Sequence, residues 1–457
     1  MRQGVYGCGT PPNQGERVAD KERPSKGVAV PHGRMARLAR FGGMAGGVAG
    51  GMLAEGTRQL ARGQRPTLQG LLMTPANALR VTTQLANLRG AAMKMGQLLS
   101  MDGGEVLSPE LTAILARLRA GAQHMPPAQL QAVLNREWGK DWRARFHRFD
   151  VRPIAAASIG QVHRAQTRDG RDLAIKVQYP GVRESIDSDV DNVATLMQLS
   201  RLVPKALDAA PMLAEAKRQL HEEADYTREG GCLAQFGALL AGDPDYVVPG
   251  LHTDLTTNNV LAMDFVAGIA VEALEDAPQT TRNRVMTMLV RLVLEELFTF
   301  RLMQTDANFA NYRWDLVGER LVLLDFGATR AVPEGMAEAY RGLLRAGMAG
   351  DLPAARAAMI AIGFFDAEAS AHHQDTIVAM FDSAMAPMRA PGLFDFGARG
   401  IIGDLRERGL AIAGDRDFWH IPPIDTLFLQ RKFGGVYLLG ARLRAQVDVR
   451  GLLTLYL

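Results

Sequence analysis

The chain has 457 residues, 47% of them hydrophobic and 22% charged, with a formal net charge of +3. That length admits several structural units, or one bilobal fold with an extension, and a large core. The small charge balance excludes the basic excess of a nucleic-acid binder. The only cysteines, Cys8 and Cys232, are too isolated for a disulfide framework or a zinc site, which points to a reducing, intracellular compartment.

Residues 1–33, built from Gly, Pro, Lys, Arg and polar types, read as disordered and lack the apolar core and cleavage site of a secretory signal. From Arg34 to about Met125 the pattern is helical. It is interrupted by the glycine-rich stretch Gly42–Gly51, whose small-x-x-x-small spacing suits either close helix approach or a flexible linker. The longest charge-free run there, Phe41–Ala54, is about 14 residues, shorter than the roughly 18 a spanning helix needs. Val447–Leu457 is also too short to span and carries Arg450. Thr74-Pro75 and Ser108-Pro109-Glu110 place proline in the first turn of further helices.

Strands are predicted from about Arg143 to Pro180. Ile159–Gln166 and Asp172–Gln178 flank Asp169-Gly170, a hairpin signal. Helical periodicity resumes over 183–241, a strand follows through Val260–Met263, a long apolar helix spans 278–303, and everything beyond Pro333 reads as helix.

The chemistry-bearing residues fall on these elements in order. Ala155, Ala156, Ala157 and Ser158 stand where a nucleotide-binding fold would place a phosphate-wrapping loop; alanine makes such a loop stiffer than glycine would. Lys176, in Ala174-Ile175-Lys176-Val177, resembles the strand lysine that neutralises nucleotide phosphates in kinase-like folds. The acidic helix that follows should supply its carboxylate partner. Helical spacing puts Asp225 and Glu229 on one face with Glu222 on its flank; Glu229 is assigned the ion pair, leaving Glu223 and Asp225 for another task. Met263, Asp264 and Val266, where the chain leaves its strand, complete the nucleotide-binding set. Asp306-x-x-x-x-Asn311 has catalytic-loop spacing: Asp306 can orient a hydroxyl or water, and Asn311 can ligate magnesium beside Asp325 of the Asp325-Phe326-Gly327 turn. Gln304-Thr305 replaces the usual His-Arg before that aspartate. Ala328–Val332 leads straight to Pro333-Glu334, leaving no length for a peptide-docking activation segment.

These residues resemble the UbiB family of atypical kinase-like proteins, the group that includes the coenzyme Q8-type members, from about Arg34 to the C-terminus. Lys94-Met95-Gly96-Gln97 matches its K-x-G-Q signature, Ala155–Ser158 its alanine-rich loop and Glu223-Ala224-Asp225 its E-x-D signature. Ala307 departs from the Asp-Pro-Asn of many relatives. The resemblance implies an α+β, atypical protein-kinase-like bilobal fold with an N-terminal helical extension that folds over the site. The implied layout is 34–142 for the extension, 143–268 for a strand-rich N-lobe with helical insertions and 269–457 for a helical C-lobe. It implies ATP or ADP binding with Mg2+, with Lys176, Glu229 and Asp306 as catalytic groups and Asn311 and Asp325 as metal ligands. Lys94 and Gln97, reaching Glu223 and Asp225, form a regulatory set. The family further implies ATPase rather than protein-kinase behaviour in support of ubiquinone biosynthesis, with peripheral membrane association. Expected partners are a membrane lipid or isoprenoid precursor and quinone-biosynthesis enzymes, with a dimer allowed. The rival readings are a non-catalytic, nucleotide-switched lipid-binding or chaperone module, and a small-molecule or protein kinase.

Overall fold

Side chains that alternate between two faces along residues 160–178 organise the first lobe. The structure is a computed structural model that describes residues 124–199, 210–306, 308–398, 408–409 and 422–457. The expected disordered N-terminus, the glycine-rich stretch, the helices before residue 124 with Lys94 and Gln97, and Ala307 lie outside these residues.

Strands β1 (Phe146–Phe149), β2 (Ala155–Ala156), β3 (Gly160–Thr167) and β4 (Asp172–Gln178) join β6 (Val260–Asp264) in a five-stranded antiparallel sheet. Its order is β1-β3-β4-β6, with β2 on β3, while β5 (Tyr246–Val247) belongs to a second sheet. The predicted Asp169-Gly170 turn joins β3 to β4, with Gly170 at φ +93°. Strand period decides what β4 presents to each side. Leu173, Ile175 and Val177 pack against helix α1 (Pro127–Trp138), Trp142 and Phe146, whereas Ala174 and Lys176 face the opposite way.

The helical run read over 183–241 is three helices, α2 (Ile186–Leu199), α3 (Ala210–Glu223) and α4 (Tyr226–Leu239). This corrects the single acidic face expected for Glu222, Asp225 and Glu229. The chain turns at Ala224-Asp225, where the Asp225 carboxylate accepts a hydrogen bond from the Arg228 amide and caps α4. Glu223 ends one helix and Glu229 lies in the first turn of the next.

The second lobe is built on α5 (Gln279–Glu295), whose Val285, Met286, Leu289, Leu292 and Val293 are buried. The long apolar helix expected to Met303 ends earlier. A π-turn over Glu296–Phe300 and a left-handed Arg301 release the chain into β8 (Leu302–Gln304), after β7 (Ile269–Ala270). Strands β9 (Tyr312–Asp315) and β10 (Arg320–Leu323) extend the second sheet in the order β5-β10-β9-β7, and β11 (Thr329–Ala331) pairs with β8. Helices α6 (Glu334–Ala349), α7 (Leu352–Ile362), α8 (Ala371–Arg389), α9 (Ile424–Leu443) and α10 (Val449–Tyr456) follow. The all-helix expectation beyond Pro333 needs one correction: β12 (Phe394–Asp395) and β13 (Gln446–Val447) pair antiparallel. Two-residue strands leave no periodic pattern to read.

Gly160 marks where the lobe is tightest. A Cβ there would lie 2.5 Å from the Val177 carbonyl oxygen and 2.8 Å from the Tyr226 hydroxyl. Gly160→Ala should therefore cost about 1–3 kcal/mol through overpacking, read as a lower urea midpoint at unchanged slope. An unchanged midpoint would contradict this packing.

Candidate functional site

Two short strand ladders bring the polar residues together. In one, Gln304 of β8 pairs with Thr329 of β11, so Asp306, just after β8, and Asp325–Gly327, just before β11, emerge at the same end. In the other, Tyr312 of β9 pairs with Leu323 of β10, and the Leu324 amide donates to the Asn311 carbonyl at 3.0 Å. Asn311 thereby lies beside the residue that precedes Asp325. Phe326 is buried and meets Phe236 of α4 with ring centroids 5.0 Å apart. Arg228, in the first turn of α4, donates to the Gly327 carbonyl at 2.8 Å. The Asp-Phe-Gly turn is thus docked on the helix that carries Glu229.

Across the cleft, Lys176 Nζ lies 2.8 and 2.9 Å from the two oxygens of Glu229 and 3.6 Å from Asp325 Oδ2. The lysine is 8% exposed and the glutamate 1%. Burial alone would pull the Lys176 ammonium down, but the Asp325 and Glu229 carboxylates more than offset this and hold it well above its ordinary range. Burial pushes the Glu229 carboxyl up to about 7, against the pull of Lys176. The Tyr226 ring supports the ammonium from 5.1 Å.

The alanine-rich segment is a tight hairpin. Ala155 and Ala156 pair with Val162 and Gln161, and the Ala157 amide donates to the Gly160 carbonyl at 2.9 Å. None of its residues takes positive φ, as expected of alanine. At its tip the Ser158 hydroxyl donates to Glu223 Oε2 at 3.2 Å, joining the hairpin to the end of α3.

All the nucleotide-binding, catalytic and metal positions read from the sequence line one cleft of about 920 Å³. Ala155–Ser158 form its roof, Lys176 and Glu229 its inner wall, Met263, Asp264 and Val266 the junction between lobes, and Asp306, Asn311 and Asp325 the floor. Glu223 is also in its wall; Asp225, occupied as a helix cap, is not. The oxygen donors of Asn311 and Asp325 suit magnesium, a hard cation. Among the described residues no group of three or more His, Cys, Asp or Glu side chains could hold a metal. Two protein ligands leave the remaining positions of such an ion to water and phosphate oxygens, the usual magnesium arrangement.

The far wall comes from α9, which the sequence reading left without a role. Arg431 donates to Asp306 Oδ1 at 3.0 Å, while Asn311 Nδ2 lies 3.4 Å from Asp306 Oδ2. Gly434, Gly435 and Leu438 continue that wall one turn on. The available signal was Gly434-Gly435, a glycine pair inside a helical pattern, which marks an open face or a close approach.

Comparison with known proteins agrees with this architecture. The ABC1 atypical kinase-like domain matches residues 117–358, more than half of the chain. The chain belongs to this family. Saccharomyces cerevisiae "Atypical kinase COQ8, mitochondrial" is 37% identical over 430 residues, covering 94% of this chain and 85% of that protein. Rattus norvegicus "Atypical kinase COQ8B, mitochondrial" is 38% identical over 443 residues, covering 95% and 82%. In fold, the chain resembles Mycobacterium tuberculosis Rv3197, solved with erythromycin, at TM-score 0.59 and 24% identity over 82% of this chain and 94% of that one. The resemblance to UbiB-type atypical kinases and the α+β kinase-like fold are both borne out. Family membership makes the cleft a kinase-like one. Among the described residues no helix is long and apolar enough to cross a membrane.

The raised Glu229 carboxyl has a thermodynamic consequence. Between 4.5, its ordinary value, and about 7, the native protein holds a proton that the unfolded chain has released. Stability from the neutral carboxyl is fully present below this window and lost as pH rises through it. Lys176, held above its ordinary range, does not titrate there. The unfolding free energy of wild type minus that of Glu229→Gln should fall by about 3 kcal/mol from pH 4.5 to 7.5. A difference that ignores pH would contradict the assignment.

Proposed function

We propose that this protein is a magnesium-dependent, ATP-binding ATPase of the UbiB type that supports ubiquinone biosynthesis at a membrane. The observation that carries the reading is the meeting of Lys176, Glu229, Asp306, Asn311 and Asp325 in one cleft, each from a different segment. Lys176, oriented by both oxygens of Glu229, is suited to grip phosphate oxygens. The alanine-rich hairpin closes over the phosphates, and Met263–Val266 border the base. Asn311 and Asp325 would hold magnesium, which neutralises charge on the transferring phosphoryl group. Asp306, fixed by Arg431 and Asn311, positions the attacking water rather than drawing its proton away. Water attacks the γ-phosphorus, the bond to the β-γ bridging oxygen breaks, and ADP and phosphate leave, with the proton passing to phosphate or solvent.

Hydrolysis is favoured over transfer to a protein because β11 runs through Val332 and Pro333 directly into α6, leaving no room for a peptide platform. A nucleotide-switched, non-catalytic module is the second reading. It is favoured by the Arg431–Asp306 pair, which already engages that carboxylate, and by the Ser158–Glu223 bond, which couples the nucleotide roof to α3. Ubiquinone support and a lipid or isoprenoid partner rest on the K-x-G-Q and E-x-D signatures and on the mitochondrial relatives. Peripheral membrane contact would run through the glycine-rich stretch Gly42–Gly51 and the arginines near it in sequence.

Asp325→Asn should keep the fold and lower magnesium-dependent phosphate release by roughly a hundredfold or more, because a metal ligand loses its charge. The same variant should fail to restore quinone in a strain lacking the protein, while wild type restores it. Unchanged release would remove Asp325 from the chemistry; nucleotide binding without release from wild type, with or without liposomes, would favour the switch.

A further inference from the structure

Next to Arg431 on α9, Lys432 points the other way, into the core behind the cleft floor. It is 0% exposed. Its Nζ lies 2.7 Å from the Gln304 carbonyl oxygen, 3.1 Å from Gln304 Oε1, 2.7 Å from the Tyr312 hydroxyl and 3.1 Å from Glu296 Oε2. Glu296, 1% exposed, starts the turn that ends α5. Gln304 ends β8 two residues before Asp306, and Tyr312 begins β9 one residue after Asn311. One ammonium therefore binds both ends of the segment that carries Asp306 and Asn311, together with the helix end behind it.

A lysine is a poor choice for filling this space. Its charge must be stripped of water, and an apolar side chain of similar volume would serve packing at least as well. All four acceptors, however, belong to the stem of the catalytic loop or to the turn that supports it. Gln304 and Thr305 stand where a kinase-like loop usually carries His-Arg, so the loop lacks that support within its own sequence. The adjacent Arg431 reaches Asp306 itself at 3.0 Å. A single turn of α9 thus grips the loop at its stem and at its acid.

We propose that Lys432 is a positioning residue: from the C-terminal helix it holds the 304–312 segment in the register that presents Asp306 and Asn311 to the phosphates. It touches no substrate and acts through Gln304 and Tyr312. The kinetic consequence rests on the ATPase reading above; the structural one does not.

The test uses the whole chain with two substitutions, Lys432→Met and Glu296→Gln, made together so that no unpaired charge stays buried. Tyr312→Phe, which removes one acceptor of the ammonium together with the 3.2 Å bond that the Tyr312 hydroxyl donates to Gln304 Oε1, and little volume, is the second variant. Amide hydrogen exchange at residues 304–312 should rise by roughly tenfold in the first and threefold in the second, with exchange over 172–178 unchanged. Phosphate release should fall by roughly tenfold or more in kcat, with KM for ATP within about twofold, as a misplaced loop rather than a lost binding group requires. Unchanged exchange at 304–312 in either folded variant overturns the proposal, as does raised exchange with wild-type kcat. If wild type itself releases no phosphate, the ATPase reading fails and the exchange measurement still decides the role of Lys432. If the double variant does not fold, Lys432→Met alone replaces it, and exchange at 304–312 raised beyond that of Tyr312→Phe supports the proposal while exchange no higher overturns it.

Discussion

The site depends on one buried ion pair, Lys176 with Glu229, which ties the central strand of the first lobe to α4. Both oxygens of the carboxylate engage the ammonium, and almost no solvent reaches either group. Such a pair is seldom a net source of stability, since desolvating two charges offsets most of their attraction. Its value is geometric. With β4 and α4 in register, Phe236 receives Phe326 and Arg228 receives the Gly327 carbonyl, so Asp325 arrives at the lysine. Burial pushes the Glu229 carboxyl up against the pull of Lys176, so the charge of the pair is sensitive to pH.

Much of this was legible because the deciding signals are local. Strand alternation around Lys176, the Asp169-Gly170 turn and the apolar run before Asp325 are each set by neighbours within a few residues, and the structure follows them closely. The K-x-G-Q, alanine-rich and E-x-D stretches carried the family, which the comparisons bear out. Periodicity misled at Ala224-Asp225, where an aspartate read as part of a helix face caps a new helix instead. Aspartate three residues before an amide that needs a partner is a readable capping signal, and it competes with helical spacing at that position. The π-turn at Glu296–Phe300 and the paired strands β12 and β13 come from tertiary packing, which no short window of sequence reports.

The reach of α9 was the least legible feature. Arg431 meets Asp306 across 125 residues of chain, and Lys432 meets Gln304 across 128. An Arg-Lys pair on a helix reads as a solvated face unless its partners are known. Here one side chain enters the cleft and the other the core. The short path from the Asp-Phe-Gly turn to α6 is the complementary change: Arg330 next to that turn stacks on Phe428 and pairs with Asp425, both on α9. The helix therefore braces the segment that carries Asp306 and the strand after Asp325 together.

The most direct test of the account is calorimetric titration of the whole protein with ADP, with magnesium present and then with the ion chelated. On the proposed roles, in which Lys176 grips phosphate and Asn311 and Asp325 hold magnesium, ADP should bind saturably at a single site per chain, markedly more weakly once magnesium is removed. No uptake of ADP with magnesium present, or equal affinity in its absence, would contradict the convergence of Lys176, Asn311 and Asp325 on a nucleotide.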